Sequence, residues 1–512
     1  MRFRLFRYSL FITVFLAISC QDGYDSSDGR LSIDYYASLR DSLLIADDGA
    51  IRKSLRSLAA DDVVKTFSDR FTKDYYDAVK KPFWISRVGV CSQADTLLTV
   101  LSNLERDGLD SEPLRLSQIE RDMKRVRNLD FTEKQNVAKV FARLEYNLTK
   151  AYLYYASVMS FGFTNPNRLY NRLDHVDNDS TGTHFRELYG IPTKHVSHDF
   201  LQQALKKVSD NHFGDYIRSL RPQDIFYDEL AKELQAGSLK ESRRMKILCT
   251  MERLRWHTSD HPYKHKKYVL VNLPGFFLNA IDGDQIVSMK IGAGAKRTKT
   301  PLLISRLKRI EFNPQWIIPR SIVNKDISHH AGDSEYFSRH NYYVRNKKTG
   351  QRLNIEELTS ADLRSGDNYV IQEGGSGNAL GRIIFRFDNN YSVYLHHTST
   401  PGVFDRADRS VSHGCVRVEK PYELARFLLK DQHDEELLQN IQYTITADLK
   451  SPSLSRGKIL HSVKVEPQIP LFITYFTIYR DPITKTLKEY PDVYGYDQVL
   501  YNQLKWHLKR RP

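Results

Sequence analysis

Tyr268-Val269-Leu270-Val271-Asn272-Leu273, Pro274-Gly275, Phe276-Phe277-Leu278-Asn279-Ala280-Ile281, Asp282-Gly283 and Gln285-Ile286-Val287-Ser288-Met289-Lys290-Ile291 follow one another almost without interruption. Ahead of Tyr268 the apolar residues recur at helical spacing. From Tyr268 they come in short runs rich in β-branched and aromatic side chains, and Pro-Gly and Asp-Gly separate the runs. The segment therefore reads as three strands joined by tight turns. The change of period makes the chain α+β, with a helical half first and a mostly-β half after it.

Upstream, residues from about 31 to 256 read as helical. The clearest helix starts at Thr132, an N-cap with Gln135 as its capping-box partner. Val137, Val140, Phe141, Leu144, Leu148, Ala151 and Tyr155 then mark one buried face, and Gly162 and Pro166 end it. Further helices are predicted over 95–107, 115–128, 197–208, 223–236 and 239–256. Downstream, Arg382–Phe387 and Tyr391–Leu395 read as a hairpin turning near Asn389-Asn390. The polar stretch of about 325–370 reads as a long functional loop, a lid over a site. A helix is predicted over Pro421–Leu429 and strands over 440–446, 459–465 and 470–479.

The chain has 512 residues, 41% hydrophobic and 27% charged, which is a globular balance with room for several domains. Lys and Arg outnumber Asp and Glu by 76 to 62, a net charge of +14 that suits an anionic partner. The charge is spread along the chain and accompanies no nucleic-acid motif, so no nucleic-acid partner is expected. Four cysteines exclude a disulfide scaffold. Cys91 and Cys249 read as buried small hydrophobes, with a bridge between them left open.

The N-terminus carries an export signal. Arg2, Arg4 and Arg7 precede an apolar run from Tyr8 to Ile18, too short to span a bilayer and of the length of a signal-peptide core. It ends in Leu16-Ala17-Ile18-Ser19-Cys20, which resembles a lipoprotein processing site with Cys20 as the lipidated first residue. A plain secretory signal is the other reading. Gln21–Arg30 is polar and reads as a tether.

One constellation carries chemistry: Tyr394-Leu395-His396-His397-Thr398, then Ser412-His413-Gly414-Cys415-Val416-Arg417. A nucleophilic thiol needs an imidazole to take its proton and return it to the leaving group. It also needs N–H groups aimed at the oxyanion, and a glycine before the cysteine lets substrate approach the main chain. Zinc is the competing reading for this His and Cys cluster, but the spacing lacks a CxxC or HExxH arrangement.

Ser-His-Gly-Cys-Val-Arg, with His396 nineteen positions before Cys415, resembles the signature of the L,D-transpeptidase catalytic domain, the YkuD fold. The blocks Glu252-Arg253-Leu254-Arg255-Trp256, Val271–Phe276, Phe312-Asn313-Pro314-Gln315-Trp316, Asn378-Ala379-Leu380-Gly381-Arg382 and Ile473–Thr477 narrow the resemblance to the long YcbB-like branch. Phe83-Trp84 and the helix around Leu144–Tyr155 resemble that branch's scaffold more loosely. Two departures stand out: there is no room for a peptidoglycan-binding module before Glu252, and His397 stands where relatives often have Asp.

The resemblance implies a division into signal peptide (1–19), tether (20–30), helical scaffold (31–250), catalytic domain (251–450) with the lid insertion, and C-terminal strands and helix (451–512). It implies Cys415 as nucleophile and His396 as general base, with the backbone carbonyl of His397 orienting it and Gly414 and Cys415 N–H groups receiving the oxyanion. Ser412, His413, Arg417 and Asn378 are implied around the substrate. Tetrapeptide stems of peptidoglycan would form a thioester on Cys415 with loss of D-Ala, and a second stem would resolve it as a 3→3 cross-link. Carbapenems would acylate the same thiol. No metal or organic cofactor is implied, and the membrane enters only through Cys20. The alternatives are hydrolysis of the same thioester, transfer to a protein, or a silent wall-binding scaffold. A papain-like protease is excluded because the base precedes the nucleophile and lies so near it.

Overall fold

The computed structural model describes residues 30–32, 45–78, 81–86, 89–176, 183–237 and 239–509. The expected signal peptide, Cys20 and the tether up to Gly29 lie outside the described residues.

The helical half comprises α1 (Asp48–Asp61), α2 (Phe67–Asp77), α3 (Ser92–Ser102), α4 (Leu116–Asn128), α5 (Val137–Phe161), α6 (His198–Lys207), α7 (Phe213–Ser219), α8 (Ile225–Gln235) and α9 (Glu241–Arg255). Helix α5 is not a one-faced helix. It is buried on nearly every side, because the other scaffold helices and the extended Phe83–Ile85 segment surround it. Its start also differs from the expected capping box. Asn136 is the N-cap, accepting the Lys139 N–H at 3.0 Å, while Gln135 Oε1 is taken by Arg143 at 2.8 Å. Thr132 and Gln135 instead close a tight turn through their own backbones. Within α5, Glu145 accepts the N–H groups of Phe83, Trp84 and Ile85, which fixes the Phe83-Trp84 block against the helix.

The second half is a closed barrel. We number its strands and those of its insertion β1 (Lys267–Asn272), β2 (Phe277–Asp282), β3 (Gln285–Gly294), β4 (Leu303–Phe312), β5 (Trp316–Ile317), β6 (Tyr342–Asn346), β7 (Asn368–Gln372), β8 (Ile383–Phe387), β9 (Leu395–His396), β10 (Ser410–Ser412), β11 (Val416–Val418) and β12 (Ser462–Thr474). Pairing runs β3-β11-β9-β8-β4-β12-β1-β2 and returns to β3, so no edge is left in the ring. The β9–β11 and β1–β12 pairs are parallel, and β10 adds to β3 in parallel beyond the end of β2. Alternation along β1 divides its side chains between two cores. Val269 and Val271 join the main core, while Leu270 packs against Phe226, Tyr227, Leu230 and Met251 of the scaffold.

Two expectations are corrected here. Residues 440–446 are not a strand but the end of a helix, α11 (Glu435–Thr446), which follows α10 (Pro421–Leu429). The β-branched run misleads; Asp434 caps the helix by accepting Leu437 N–H at 2.8 Å, and Ile441 and Thr444 are buried at helical spacing. The strands expected over 459–465 and 470–479 run together as one long strand, β12, up to Thr474, with a register shift opposite Leu307 and Arg309, and Ile478–Arg480 is a separate short strand. The polar insertion is also not an irregular loop. Strands β5, β7 and β6 form a small sheet in that order, over a core of Ile318, Val323, Ile327, Phe337, Val344, Leu363 and Val370.

After β12 the chain leaves the barrel and returns to the scaffold through α12 (Tyr496–Leu504). The contact is polar and dry. Arg253 of α9 pairs with Asp497 at 2.6 Å, both buried, and the Cys249 thiol donates to the Asp497 carbonyl at 3.4 Å. Cys249 thus keeps a free, buried thiol, and the bridge to Cys91 is not formed. On the same helix, Glu252 accepts Phe163 and Thr164 N–H groups at 2.7 and 2.9 Å and pairs with Arg255 at 3.2 Å. Removing one partner of such a group strands buried donors and a buried cation. Glu252→Ala is expected to lower apparent unfolding stability by about 3–5 kcal/mol in urea titration. Asp215→Ala, which removes an exposed pair with Arg218, is expected to change it by less than about 0.5 kcal/mol.

Candidate active site

Strand register brings the two expected catalytic side chains together. In the parallel β9–β11 pair, His396 lies opposite Arg417 and Leu395 opposite Val416. Leu395, Val416 and Val418 are buried in the barrel core. Tyr394, His396, Cys415 and Arg417 occupy the alternate positions and so project from the other face. His396 and Cys415 are diagonal neighbours on that face, and the Val416 N–H bond to the Tyr394 carbonyl at 3.1 Å fixes the offset.

His396 is buried, with Nδ1 facing the Leu380 carbonyl at 3.4 Å. Desolvation and the Arg417 charge push its pKa down to about 4; hydrogen bonds that the ring donates to the backbone of His397 and Leu380 oppose this but do not win. The imidazole is therefore neutral near pH 7. Leu380 was not singled out by sequence. Its block is placed by Gly381, where a Cβ would come within 2.6 Å of the His397 side chain at a φ of +67°. The His397 ring accepts the Arg382 N–H at 3.3 Å, so it braces the loop below His396.

Cys415 is half-buried, and its thiol points to the Ser392 carbonyl at 3.9 Å. Burial raises its pKa above the ordinary thiol value, against hydrogen bonds from the Tyr394 backbone and phenol and the positive charges of Arg386 and Arg417. Tyr394 is a site residue that sequence reading had passed over. Its ring meets the His396 ring edge-on at 5.9 Å, and its phenol pKa is pushed up to about 12 by burial and by Cys415. The period-2 spacing Tyr394–His396 was the available signal.

The turn before Cys415 is held rigidly. Ser412 Oγ donates to the Cys415 carbonyl at 2.5 Å and accepts the Gly414 N–H at 3.1 Å. Thr298 Oγ1 donates to the Ser412 carbonyl at 2.8 Å and Thr300 Oγ1 to the Gly414 carbonyl at 2.9 Å. Behind Thr300, Tyr494 donates to the Gly294 carbonyl at 2.7 Å, and Tyr475 receives the Tyr494 N–H at 2.8 Å.

This network corrects three of the expected site residues. The Gly414 N–H, expected in the oxyanion hole, is occupied by Ser412 Oγ; the Cys415 N–H has no acceptor among the described residues. Ser412 itself is buried in the turn and directs its hydroxyl at the backbone. Asn378 is 1% exposed and is a strut. It donates to the Pro314 and Glu373 carbonyls at 3.1 and 2.8 Å and accepts Leu380 N–H at 2.8 Å, leaving nothing for a substrate. Two expected residues do face open space. His413 is exposed and lines a cleft of about 500 Å³, and Arg417 is half-exposed as a residue although its Nε is buried without a partner. No group of three or more potential metal ligands occurs among the described residues.

A cysteine and a histidine on one outer face of a barrel are the two groups that thiol acyl transfer requires. Residues 266–436 match the family model of the L,D-transpeptidase catalytic domain, YkuD, and residues 70–234 match that of a scaffold domain. The chain thus carries a YkuD L,D-transpeptidase catalytic domain with a scaffold domain ahead of it. A Haemophilus influenzae protein provisionally named an L,D-transpeptidase is 29% identical over 322 residues, which are 61% of this chain. The match spans 61% of that relative's length.

The electrostatics make Cys415 and His396 a neutral pair at rest, not a thiolate–imidazolium pair. Alkylation of Cys415 by iodoacetamide, followed by peptide mass spectrometry, should therefore be slower at pH 7 than that of free cysteine, with its inflection at higher pH than that of free cysteine. A reactive plateau between pH 5 and 7 would show an ion pair instead.

Proposed function

We propose that this protein is a peptidoglycan L,D-transpeptidase that forms 3→3 cross-links through a thioester on Cys415. The observation that carries the reading is the β9–β11 register, which presents His396 and Cys415 on one face, with His413, two residues before Cys415, lining an open cleft.

In the first step Cys415 Sγ attacks the carbonyl of the third stem residue, and its proton passes to His396. The neutral, buried imidazole is in the state that accepts a proton, and the backbone carbonyls behind it stabilise the imidazolium that forms. The Cys415 N–H is free to receive the oxyanion. Gly414 would contribute its N–H only by giving up Ser412. Collapse of the tetrahedral adduct breaks the amide bond, and His396 returns the proton to the departing D-Ala amine. The side-chain amine of a second stem then attacks the thioester. Its proton goes to His396 and on to the sulfur, and a new amide and the free thiol result.

The site is assigned to the cell envelope. Residues 1–19 act as an export signal and Cys20 as a lipid anchor in this reading. Among the described residues no helix is long and apolar enough to cross a membrane.

The test is intact mass of residues 21–512 after incubation with a carbapenem. One adduct is expected on the wild type and none on Cys415→Ala, with His396→Ala acylating roughly 10²–10⁴-fold more slowly. Product analysis on disaccharide-tetrapeptide should give a cross-linked dimer and D-Ala. No adduct on a folded wild type would overturn the enzyme reading, and tripeptide as the main product would replace cross-linking by hydrolysis.

A further inference from the structure

The cleft beside the nucleophile is built from three distant parts of the chain, and each part brings a cation. The β3–β4 turn contributes Lys296 and Arg297. These are the corner residues of a turn closed by the Thr298 N–H to Ala295 carbonyl bond at 2.8 Å. That turn is locked to the nucleophile loop, since Ala295 N–H and Thr298 Oγ1 both donate to the Ser412 carbonyl at 2.8 Å. The insertion contributes Lys325, and the scaffold contributes Arg186, whose guanidinium donates to the Arg297 carbonyl and ties the scaffold to the turn. His413, two residues before Cys415, lines the same space.

Two carboxylates share the cleft, Asp174 and Asp326, and Lys299 already holds Asp174. Lys296, Arg297 and Lys325 are exposed and form no ion pair among the described residues. Cations crowded into one concave wall repel each other and focus a positive potential on whatever enters. A ligand that carries negative charge relieves that repulsion, whereas a neutral amide of the same shape does not.

Building on the peptidoglycan reading above, we propose that Lys296, Arg297 and Lys325 are specificity-determining residues that select stem peptides with free side-branch carboxylates over stems in which those carboxylates are amidated. Amidation replaces an acceptor-only anion by a neutral group that presents an N–H₂ to the cationic wall, so it removes the attraction and adds a donor facing donors. Arg186 holds the turn in place and is a positioning residue.

The experiment uses two disaccharide-tetrapeptides, one with free and one with amidated carboxylates. Their binding is measured by titration calorimetry to Cys415→Ala protein, with and without Lys296→Gln, Arg297→Gln and Lys325→Gln together. Turnover of both stems by the wild type and by the triple variant is measured in parallel. Thermal melting and iodoacetamide labelling of Cys415 verify that the triple variant is folded. The expected result is about tenfold tighter binding of the free-carboxylate stem, narrowing to within about twofold in the triple variant and at 0.5 M salt. Equal binding of both stems to Cys415→Ala, or an undiminished preference in the triple variant, would overturn the proposal. The two readings fail separately. A binding preference without turnover by the wild type removes the transpeptidase function and leaves the cleft's selectivity, while turnover without a preference does the reverse.

Discussion

The small-residue end of β3 is the constraint on which barrel and site both depend. One edge of β3 pairs with β2 as far as Lys290 and then, at Ala293 and Gly294, with β10; the other edge pairs with β11. The strands flanking the nucleophile turn therefore converge on Gly292-Ala293-Gly294. A Cβ on Gly294 would meet the Thr298 carbonyl at 2.1 Å, and one on Gly292 would touch Arg417 and Val411 at 3.5 Å. Closure of the ring and placement of Cys415 are thus the same packing event.

The rest of the molecule stabilises that junction from behind. Tyr475 and Tyr494, on the segment leaving β12, connect through Gly294 and Thr300 to the carbonyl of Gly414. The same segment ends in α12, where Asp497 neutralises Arg253 of the last scaffold helix. Scaffold, barrel and nucleophile loop are therefore joined by hydrogen bonds that exclude water. Such bonds are strong only while every partner is present.

Burial also sets the chemistry. The surroundings that hold His396 and Cys415 in register remove both from water, and desolvation disfavours the charged form of each. The resting pair is neutral. Arg386, Arg417 and the Tyr394 phenol lower the cost of negative charge on the Cys415 sulfur, against its burial.

Much of this was legible in the residues. Period and turn signals located the strands from Tyr268 to Ile291, and the Ser-His-Gly-Cys run marked the turn that carries Cys415, because these are local patterns. Local reading failed where neighbours overrode it. Ile441–Thr446 looks like a strand and is a helix because Asp434 caps it, and α5 is buried all round because other helices surround it. Sequence likewise named His396 and Cys415 but not Leu380, Tyr394 or Thr300, and it placed Asn378 at a substrate it does not face. Which residue lies across from which depends on strand register and on the order of strands around the ring. Chain spacing does not encode these, and only the tertiary structure decided them: the diagonal pairing of base and nucleophile, the occupied Gly414 N–H, and the gathering of Arg186, Lys296, Arg297 and Lys325 around one cleft.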